Sequence, residues 1–393
     1  MENFIYYTPT EVLFGKDREN EIANEIIKFG YKKVLLHYGQ NSVIKSGLLT
    51  RIKNILDTSG IKYVELGGVL PNPRLSLVNK GIRFCKENDV NFILAVGGGS
   101  VIDSAKAIGY GVTNDGDVRD FYDFKRKPKA CLPIGCILTI AATGSEMSNS
   151  SVITNDKNNT KRGCNSNYCR LKFAILDPKL TMTLTQFETS CGCCDILMHT
   201  MERYFVNGET MEITDAIAEG LMRTVIKNSK TLVKTPLNYE ARAEIMWCGS
   251  LSHNDLTGLG VSKTDWSTHK LEHELSAKYD VTHGAGLTAL WSSWAKYVYK
   301  DCLPRFVKFA KNVFGIESNG GDEEVALKGI AAVIDFFKIM NMPVNLHELG
   351  LNLTNRDLIE LAKNCSVSCN GSIGSAKTLN ETDMLEIYKN ANK

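Results

Sequence analysis

The sequence predicts an α/β N-terminal domain, with a parallel sheet covered by helices on both faces, followed by an all-α C-terminal domain. In the first half, short apolar runs alternate with segments of helical apolar spacing, as in parallel sheets covered by helices. One run ends in the glycine turn Gly97–Ser100, which opens a helical pattern. From Thr185 onward, apolar residues recur every three or four positions, which indicates helices. We therefore place the domain boundary near Thr183 and predict domains at residues 1–183 and 184–393.

The elements follow in order along the chain. Apolar runs predict strands at 33–37, 62–66, 92–96, 133–138, 152–154 and 173–176. Helical spacing predicts helices in the first half at 41–59, 75–88 and 101–108. In the second half, the same spacing predicts helices at 215–226, 241–252, 288–299, 323–339 and 355–364.

Composition bounds the class of protein. The 393 residues are 43% hydrophobic and 23% charged, which is ordinary for a globular chain, and the length suggests two domains. A net charge of +2 without a long basic run gives no reason to expect nucleic acid or anionic membrane as a partner. No apolar run approaches the ~20 residues of a membrane span. The first residues lack the pattern of a signal peptide, so we expect a cytoplasmic protein with reduced cysteines.

The glycine turn is a candidate phosphate site. It lies at the carboxyl end of a predicted strand and at the start of a helix, where parallel sheets bind ligands and helix N–H groups hold anions. Asp103, in the first turns of that helix, is either a cofactor contact or an ordinary carboxylate on the helix dipole. The stretch Thr143–Glu146 is either a helix N-cap or a source of hydroxyl groups for phosphates.

A carboxylate and several histidines repeat a helical spacing. Asp195 and His199 are four residues apart, as are His269 and His273, so each pair lies on one face of a helix. With His283, which precedes Gly-Ala-Gly, these side chains form a possible nitrogen and oxygen site for a divalent first-row metal. The alternative is a set of solvated helix faces or capped turns. A zinc-protease motif is excluded, because His273 is followed by Ala277 where HExxH needs histidine.

A second possible metal site is the cysteine cluster Cys191, Cys193 and Cys194. It lacks a further cysteine pair at ligand spacing, so packing near a helix start is the simpler interpretation.

The motifs in combination resemble the iron-containing (group III) alcohol dehydrogenases. The resemblance rests on LAVGGGSVID, ATGSEM, DILMHT, HKLEHELSA and THGAG, and extends from PTEVLFG to the C-terminal NGSIGSAKTLNETDMLEIYK. Within that family the chain looks most like clostridial NADPH-dependent butanol dehydrogenases. The resemblance implies the fold shared with dehydroquinate synthase, a dinucleotide-binding N-terminal domain, an active site in the interdomain cleft and a homodimer. The cysteines before Asp195 depart from the small residues usual there.

The resemblance also implies roles for residues. Asp195, His199, His269 and His283 match the metal ligands, while His273 matches a substrate-side position. The dinucleotide pyrophosphate would lie on Gly97, Gly98, Gly99 and Ser100. Further cofactor contacts are expected at Asn72, Asp103, Thr139, Thr143, Ser145, Val152 and Lys161.

The expected reaction is hydride transfer between a short-chain primary alcohol or aldehyde, such as butanol or butyraldehyde, and a nicotinamide cofactor. Fe²⁺ is implied by the resemblance, although three imidazoles and a carboxylate also suit Zn²⁺ or Mn²⁺. His273 is the candidate proton relay, since an ordinary imidazole pKa of about 6.5 suits proton transfer.

Three alternatives stay open at this point. A dehydroquinate synthase-like lyase would need a Lys and Arg cluster for its substrate, and none lies near the predicted ligands in the sequence. A glycerol dehydrogenase-like enzyme shares the metal chemistry. A non-catalytic metal- or nucleotide-binding protein would not need His273.

The cofactor preference follows from the loop after the first predicted strand. In doubly wound folds, a carboxylate there binds the ribose hydroxyls and repels a 2′-phosphate. This chain has Gly39, Gln40, Asn41 and Ser42 instead, without an acid. Gly39 leaves room for a phosphate, and the side chains of Asn41 and Ser42 can donate hydrogen bonds to it. The alternative is a polar loop indifferent to the ribose. We therefore predict that NADP(H) is preferred over NAD(H).

Overall fold

A computed structural model describes residues 1–317 and 319–393. The chain forms two compact units: residues 7–184, and residues 1–6 together with 185–393. The first is built on a sheet and the second on helices, so the predicted fold class is confirmed. No helix among the described residues is long and apolar enough to cross a membrane.

The first unit contains a six-stranded parallel sheet in the order β1-β8-β5-β4-β2-β3. Its strands are β1 (Glu11–Phe14), β2 (Lys33–Tyr38), β3 (Lys62–Leu66), β4 (Phe92–Gly97), β5 (Ile134–Leu138) and β8 (Phe173–Leu176). Strands β6 (Ser150–Asn155) and β7 (Thr160–Asn165) form a separate antiparallel pair. All residues of β4 and β5 are buried, as expected for central strands of a parallel sheet.

Six α-helices accompany this sheet. They are α1 (Ile22–Lys28), α2 (Ser42–Lys45), α3 (Leu48–Thr58), α4 (Leu75–Glu87), α5 (Gly99–Thr113) and α6 (Arg119–Tyr122). Apolar side chains of α1 and α3 share one buried core with β2, β4 and β8. The core therefore fixes the sheet strands whose carboxyl ends carry the glycine turn.

Several predicted elements need correction. The predicted helix at 41–59 is two helices, because Gly47 between them adopts the left-handed conformation at φ 74°. The helix predicted at 101–108 extends from Gly99 to Thr113. Strand β1 was not predicted because it is a four-residue edge strand with little alternation. Strand β7 was missed because its sequence, TKRGCN, is largely polar.

The second unit is helical. Its helices are α7 (Gln186–Tyr204), α8 (Glu212–Lys234), α9 (Tyr239–Ser252), α10 (Ser267–Tyr279), α11 (His283–Val298), α12 (Leu303–Phe314), α13 (Asp322–Ile339), α14 (Asn355–Ser368) and α15 (Glu381–Ala391). Helix α7 starts with a capping box, in which Thr185 and Glu188 bond reciprocally. Every residue from Thr189 to Tyr204 is buried, so α7 is the central helix of this unit.

Candidate metal and dinucleotide sites

Three helices of the second unit bring the predicted metal ligands together. Helix α7 carries Asp195 and His199 one turn apart, and the carboxylate oxygen Oδ1 lies 3.3 Å from His199 Nδ1. Helix α10 contributes His269, whose Nε2 lies 3.6 Å from the same oxygen. Helix α11 begins at His283, whose Nε2 lies 3.8 Å from it. One carboxylate oxygen is thus surrounded by three imidazole nitrogens.

The donor set fits a metal ion. Asp195 Oδ1, His199 Nδ1 and His269 Nε2 are buried and have no hydrogen-bond partner among the described residues. Leaving such groups buried without a partner is costly. Ligand atoms of a tetrahedral site with bonds of ~2.1 Å lie about 3.4 Å apart, close to the separations found here. Asp195, His199 and His269 therefore form a group that could hold a first-row divalent ion, and their role as ligands, together with His283, stays a prediction.

The electrostatics of the site agree with this interpretation. Burial would raise the pKa of Asp195, but the three imidazoles outweigh it and hold the pKa well below its usual range. Burial lowers the pKa of His199 well below its usual value, so this ring is a neutral donor. Burial also lowers the pKa of His269, but Glu202 and Asp195 outweigh it and raise the value to about 9. A metal ion held by His269 would have to replace a proton on this ring.

Two further carboxylates complete the buried site and were not singled out from the sequence. Glu202 Oε2 lies 2.6 Å from His269 Nδ1, and Glu272 Oε2 forms a short hydrogen bond with His283 Nδ1. Both glutamates are almost fully buried. Their spacing was the available signal, since Glu202 follows His199 by three residues and Glu272 follows His269 by three.

His273 and His253 lie beside the ligand histidines. His273 is on the same face of α10 as His269, and its ring centroid is 5.9 Å from that of His283. His253, at the end of α9, packs against His199 with ring centroids 4.3 Å apart. His253 was not predicted because no helical spacing in the sequence connects it with the other histidines.

The cysteine cluster is part of the interior of α7. Burial raises the pKa of Cys191 to about 12 and of Cys193 to about 11, and holds that of Cys194 well above its usual value. Burial thus favours neutral thiols, and none of the three cysteines belongs to a group of possible metal ligands among the described residues. Packing is therefore the role that the structure supports for them.

In the first unit, the glycine turn lies where the strand order reverses. Strand β2 leads outward to β3, while β4 leads in the opposite direction to β5 and β8. Gly97 ends β4 and Gly99 begins α5, while Gly39 follows β2 at the same edge of the sheet. This switch point of a doubly wound sheet is the usual place for a dinucleotide.

The turn has no space for side chains. A Cβ atom at Gly98 would lie 2.1 Å from Ile140 Cγ2, and one at Gly99 would lie 2.1 Å from Thr143 Oγ1. Thr143 therefore packs directly on the first turn of α5, and Thr139 donates its N–H to Gly97 O at 3.1 Å. The bare backbone allows close approach of a phosphate to the N-terminus of α5.

Other predicted cofactor residues bond to one another. Asp103 accepts hydrogen bonds from Ser145 Oγ at 2.6 Å and from the Val152 N–H at 2.9 Å. The buried ammonium of Lys161 donates to Asn72 Oδ1 at 2.9 Å. Each group thus joins two elements of the sheet unit, and a cofactor role for these side chains stays a prediction.

A buried lysine that was not predicted organises the same region. Lys106 of α5 donates to the carbonyl oxygens of Ser145, Ser148 and Ser150 at 2.7, 3.0 and 2.8 Å. Its side chain is fully buried. The three carbonyl dipoles and nearby Asp103 compensate the ammonium group there. The residues around Lys106 show the apolar spacing of a buried helix, and this spacing gives no reason to assign a role to a lysine.

The chain was compared with known proteins. Residues 9–178 match the family model described as iron-containing alcohol dehydrogenase, and residues 189–392 match the C-terminal model of the Fe-containing alcohol dehydrogenase family. The chain is 42% identical to NADH-dependent butanol dehydrogenase A of Clostridium acetobutylicum, over 99% of each chain. It is 34% identical to the NADPH-dependent aldehyde reductase YqhD of Escherichia coli, over 90% of each.

A solved structure is similar along the whole chain. It is NADH-dependent butanol dehydrogenase A from Thermotoga maritima, which is 38% identical, with a TM-score of 0.96 over 100% of this chain and 99% of that one. The predicted resemblance to the iron-containing alcohol dehydrogenases is confirmed, but its NADPH-dependent part is not, since both butanol dehydrogenases above are named NADH-dependent. The chain belongs to the iron-containing alcohol dehydrogenase family.

Proposed function

We propose that the protein transfers hydride between a nicotinamide dinucleotide and a short-chain primary alcohol or aldehyde of the butanol and butyraldehyde type. The observation that carries the proposal is the carboxylate of Asp195 surrounded by three imidazole nitrogens at 3.3–3.8 Å. Family membership supports iron and a nicotinamide cofactor. Assembly as a homodimer in the cytoplasm is part of the same proposal.

Asp195, His199, His269 and His283 would hold Fe²⁺, although the ligand set also suits Zn²⁺ or Mn²⁺. When bound, the ion acts as a Lewis acid that polarises the aldehyde oxygen or stabilises the alkoxide. The surrounding helices bury the three other ligands and leave the His283 side chain 23% exposed, so His283 marks the open side. The turn Gly97–Ser100 would bind the dinucleotide pyrophosphate through backbone N–H groups.

The test of this function is oxidation of NADPH and NADH by the metal-loaded protein with butyraldehyde. We expect turnover that depends on added Fe²⁺ and disappears with a chelator. A lyase or a non-catalytic binding protein would oxidise neither cofactor. For a glycerol dehydrogenase-like enzyme, kcat/KM with NAD⁺ would be higher for glycerol than for butanol.

His273 is proposed to move the proton that accompanies hydride transfer. It is 7% exposed and lies one turn from His269 on the face of α10 that carries the ligands. General acid–base catalysis of this kind typically contributes 10²–10⁴-fold. We expect His273→Ala to lower kcat within about that range and to flatten the acid limb of the pH profile, while metal content is unchanged. A variant that loses its metal would identify His273 as a ligand instead.

We propose that the loop Gly39–Ser42 favours NADPH. The loop follows β2 at the switch point, its residues carry no carboxylate, and Asn41 and Ser42 are exposed. The relatives differ in this respect, since the Clostridium enzyme is named NADH-dependent and the Escherichia enzyme NADPH-dependent. The preference is therefore decided by measurement on this chain.

The substitution Gly39→Asp is expected to reverse the preference. A Cβ atom at Gly39 meets only Val69 O at 3.8 Å and Val101 Cγ2 at 3.9 Å, so the backbone tolerates a side chain. A carboxylate beside the 2′-phosphate costs on the order of 1–3 kcal/mol, roughly ten- to a hundredfold in affinity. The measurement is kcat/KM for both cofactors. Gly39→Ser is the control that adds a side chain without charge. Wild type favouring NADH, or an unchanged ratio in Gly39→Asp, contradicts the proposal.

A further inference from the structure

Glu202 and Glu272 each form a hydrogen bond with one proposed ligand histidine, at the ring nitrogen that faces away from Asp195. Glu202 Oε2 lies 2.6 Å from His269 Nδ1, and Glu272 Oε2 is hydrogen-bonded to His283 Nδ1. On each ring the opposite nitrogen, Nε2, faces Asp195 Oδ1 at 3.6 or 3.8 Å. Two histidines from different helices thus have the same arrangement: a carboxylate on one side of the ring and the metal ligand set on the other.

We propose that Glu202 and Glu272 are positioning residues that fix His269 and His283 in the tautomer that turns an Nε2 lone pair toward Asp195. The inference rests on the proposed metal site. A neutral imidazole carries one N–H, and a carboxylate can only accept it. When the carboxylate holds the proton on Nδ1, Nε2 has no proton and is free to coordinate.

Both glutamates are themselves held in place. Glu202 Oε1 accepts the backbone N–H of His269 at 3.1 Å, and the Glu202 carbonyl accepts the N–H of Asp265 at 2.8 Å. Glu272 Oε1 accepts a hydrogen bond from Ser276 Oγ. Neither carboxylate can rotate without losing a second bond, so each ring has one orientation.

The helices encode this arrangement by spacing. On α7, Asp195, His199 and Glu202 follow the i, i+4, i+7 pattern of a single face. On α10, His269, Glu272 and Ser276 are separated by three and then four residues and share the face with His273. Helices α7 and α10 therefore carry three of the four proposed ligands and both glutamates, and α11 adds His283.

Charge is the second consequence of the arrangement. Asp195, Glu202 and Glu272 are three carboxylates with at most 2% exposure within one site. Buried carboxylates are costly unless cations or hydrogen bonds compensate them. Two negative partners also make the imidazoles stronger donors. A divalent cation in the ligand set would thus offset the charge that the glutamates bring into the interior.

The experiment compares Glu202→Gln, Glu202→Ala, Glu272→Gln and Glu272→Ala in the full chain. Glutamine keeps an oxygen that accepts the Nδ1–H but has no charge, whereas alanine removes the acceptor. Co²⁺ affinity is measured by competition with a chelator, and the visible spectrum of bound Co²⁺ reports ligand geometry. We expect affinity to fall in the order wild type, Gln, Ala, with about a 10–100-fold loss for Ala. Spectra should be native-like for Gln and altered for Ala.

Glu219→Gln is the matched control. Glu219 is a buried glutamate of α8 that accepts hydrogen bonds from Tyr204 and Asn312 rather than from a ligand histidine. It should leave Co²⁺ affinity and spectrum unchanged. If an Ala variant does not fold, the Gln variant decides the matter by its affinity.

The results distinguish failure of the positioning role from failure of the proposed metal site. Glutamate variants that bind Co²⁺ like wild type, with an unchanged spectrum, overturn the positioning role. If His283→Ala still loses Co²⁺ in that case, the metal site itself stands. If His283→Ala also binds Co²⁺ like wild type, the ligand assignment fails together with the inference that rests on it.

Discussion

The substitution His283→Ala is expected to lower bound metal and turnover together while dinucleotide binding persists. His283 Nε2 lies 3.8 Å from Asp195 Oδ1, and its side chain is 23% exposed, so alanine removes a ligand from the rim without opening a large cavity. Changing an outer partner of a metal ligand typically costs 10–100-fold, and loss of a ligand should exceed that. The glycine turn that would bind the dinucleotide belongs to the other unit of the chain.

The measurements are metal content by elemental analysis, kcat with butyraldehyde and the Kd of NADPH. His347→Ala is the control, because His347 is an exposed histidine of the same unit, so alanine removes an imidazole there without changing a buried group. It should match wild type in all three measurements. Near-normal turnover and metal content in His283→Ala would falsify the ligand assignment.

The sequence predicted the fold class because its strongest patterns are long ones. Buried strands such as β4 produce uninterrupted apolar runs, and nine helices cover the described part of the second unit. Where a pattern was weak, the prediction failed. The helix predicted at 41–59 breaks at Gly47, whose left-handed φ cannot be read from apolar spacing.

The candidate site was predictable where its residues share a helix. The four-residue spacing of Asp195 and His199, and that of His269 and His273, predicted that each pair lies on one helix face. Contacts between helices were not predictable in this way. The pairing of Glu202 with His269 spans 67 residues and that of Lys106 with Ser145 spans 39, so only tertiary packing brings these groups together. Apolar spacing in the sequence therefore does not predict which charged side chains are buried together.

The contact between α7 and α11 leads to the second large expected effect. A Cβ atom at Gly284 would lie 2.4 Å from the carbonyl oxygen and 2.8 Å from the Cα atom of Cys191. Both obstacles are backbone atoms in the middle of the unit, so no change of rotamer can relieve the clash. Gly284→Ala must push α11 away from α7, and with it His283 away from Asp195. Overpacking of this kind typically costs 1–3 kcal/mol.

We therefore expect Gly284→Ala to lower the free energy of unfolding by roughly 1–3 kcal/mol and to weaken Fe²⁺ binding, although no ligand is changed. Gly220→Ala is the matched control, because a Cβ atom at Gly220 of α8 meets only Arg223 Nη2 at 3.8 Å. Alanine is the better helix former there, so the control should gain up to about 1 kcal/mol. Urea unfolding of the metal-free variants measures both changes in the free energy of unfolding, the expected loss in Gly284→Ala and the expected gain in Gly220→Ala. Equal stability of the two variants would show that α7 and α11 can separate at no cost, and that the ligand geometry does not depend on this glycine.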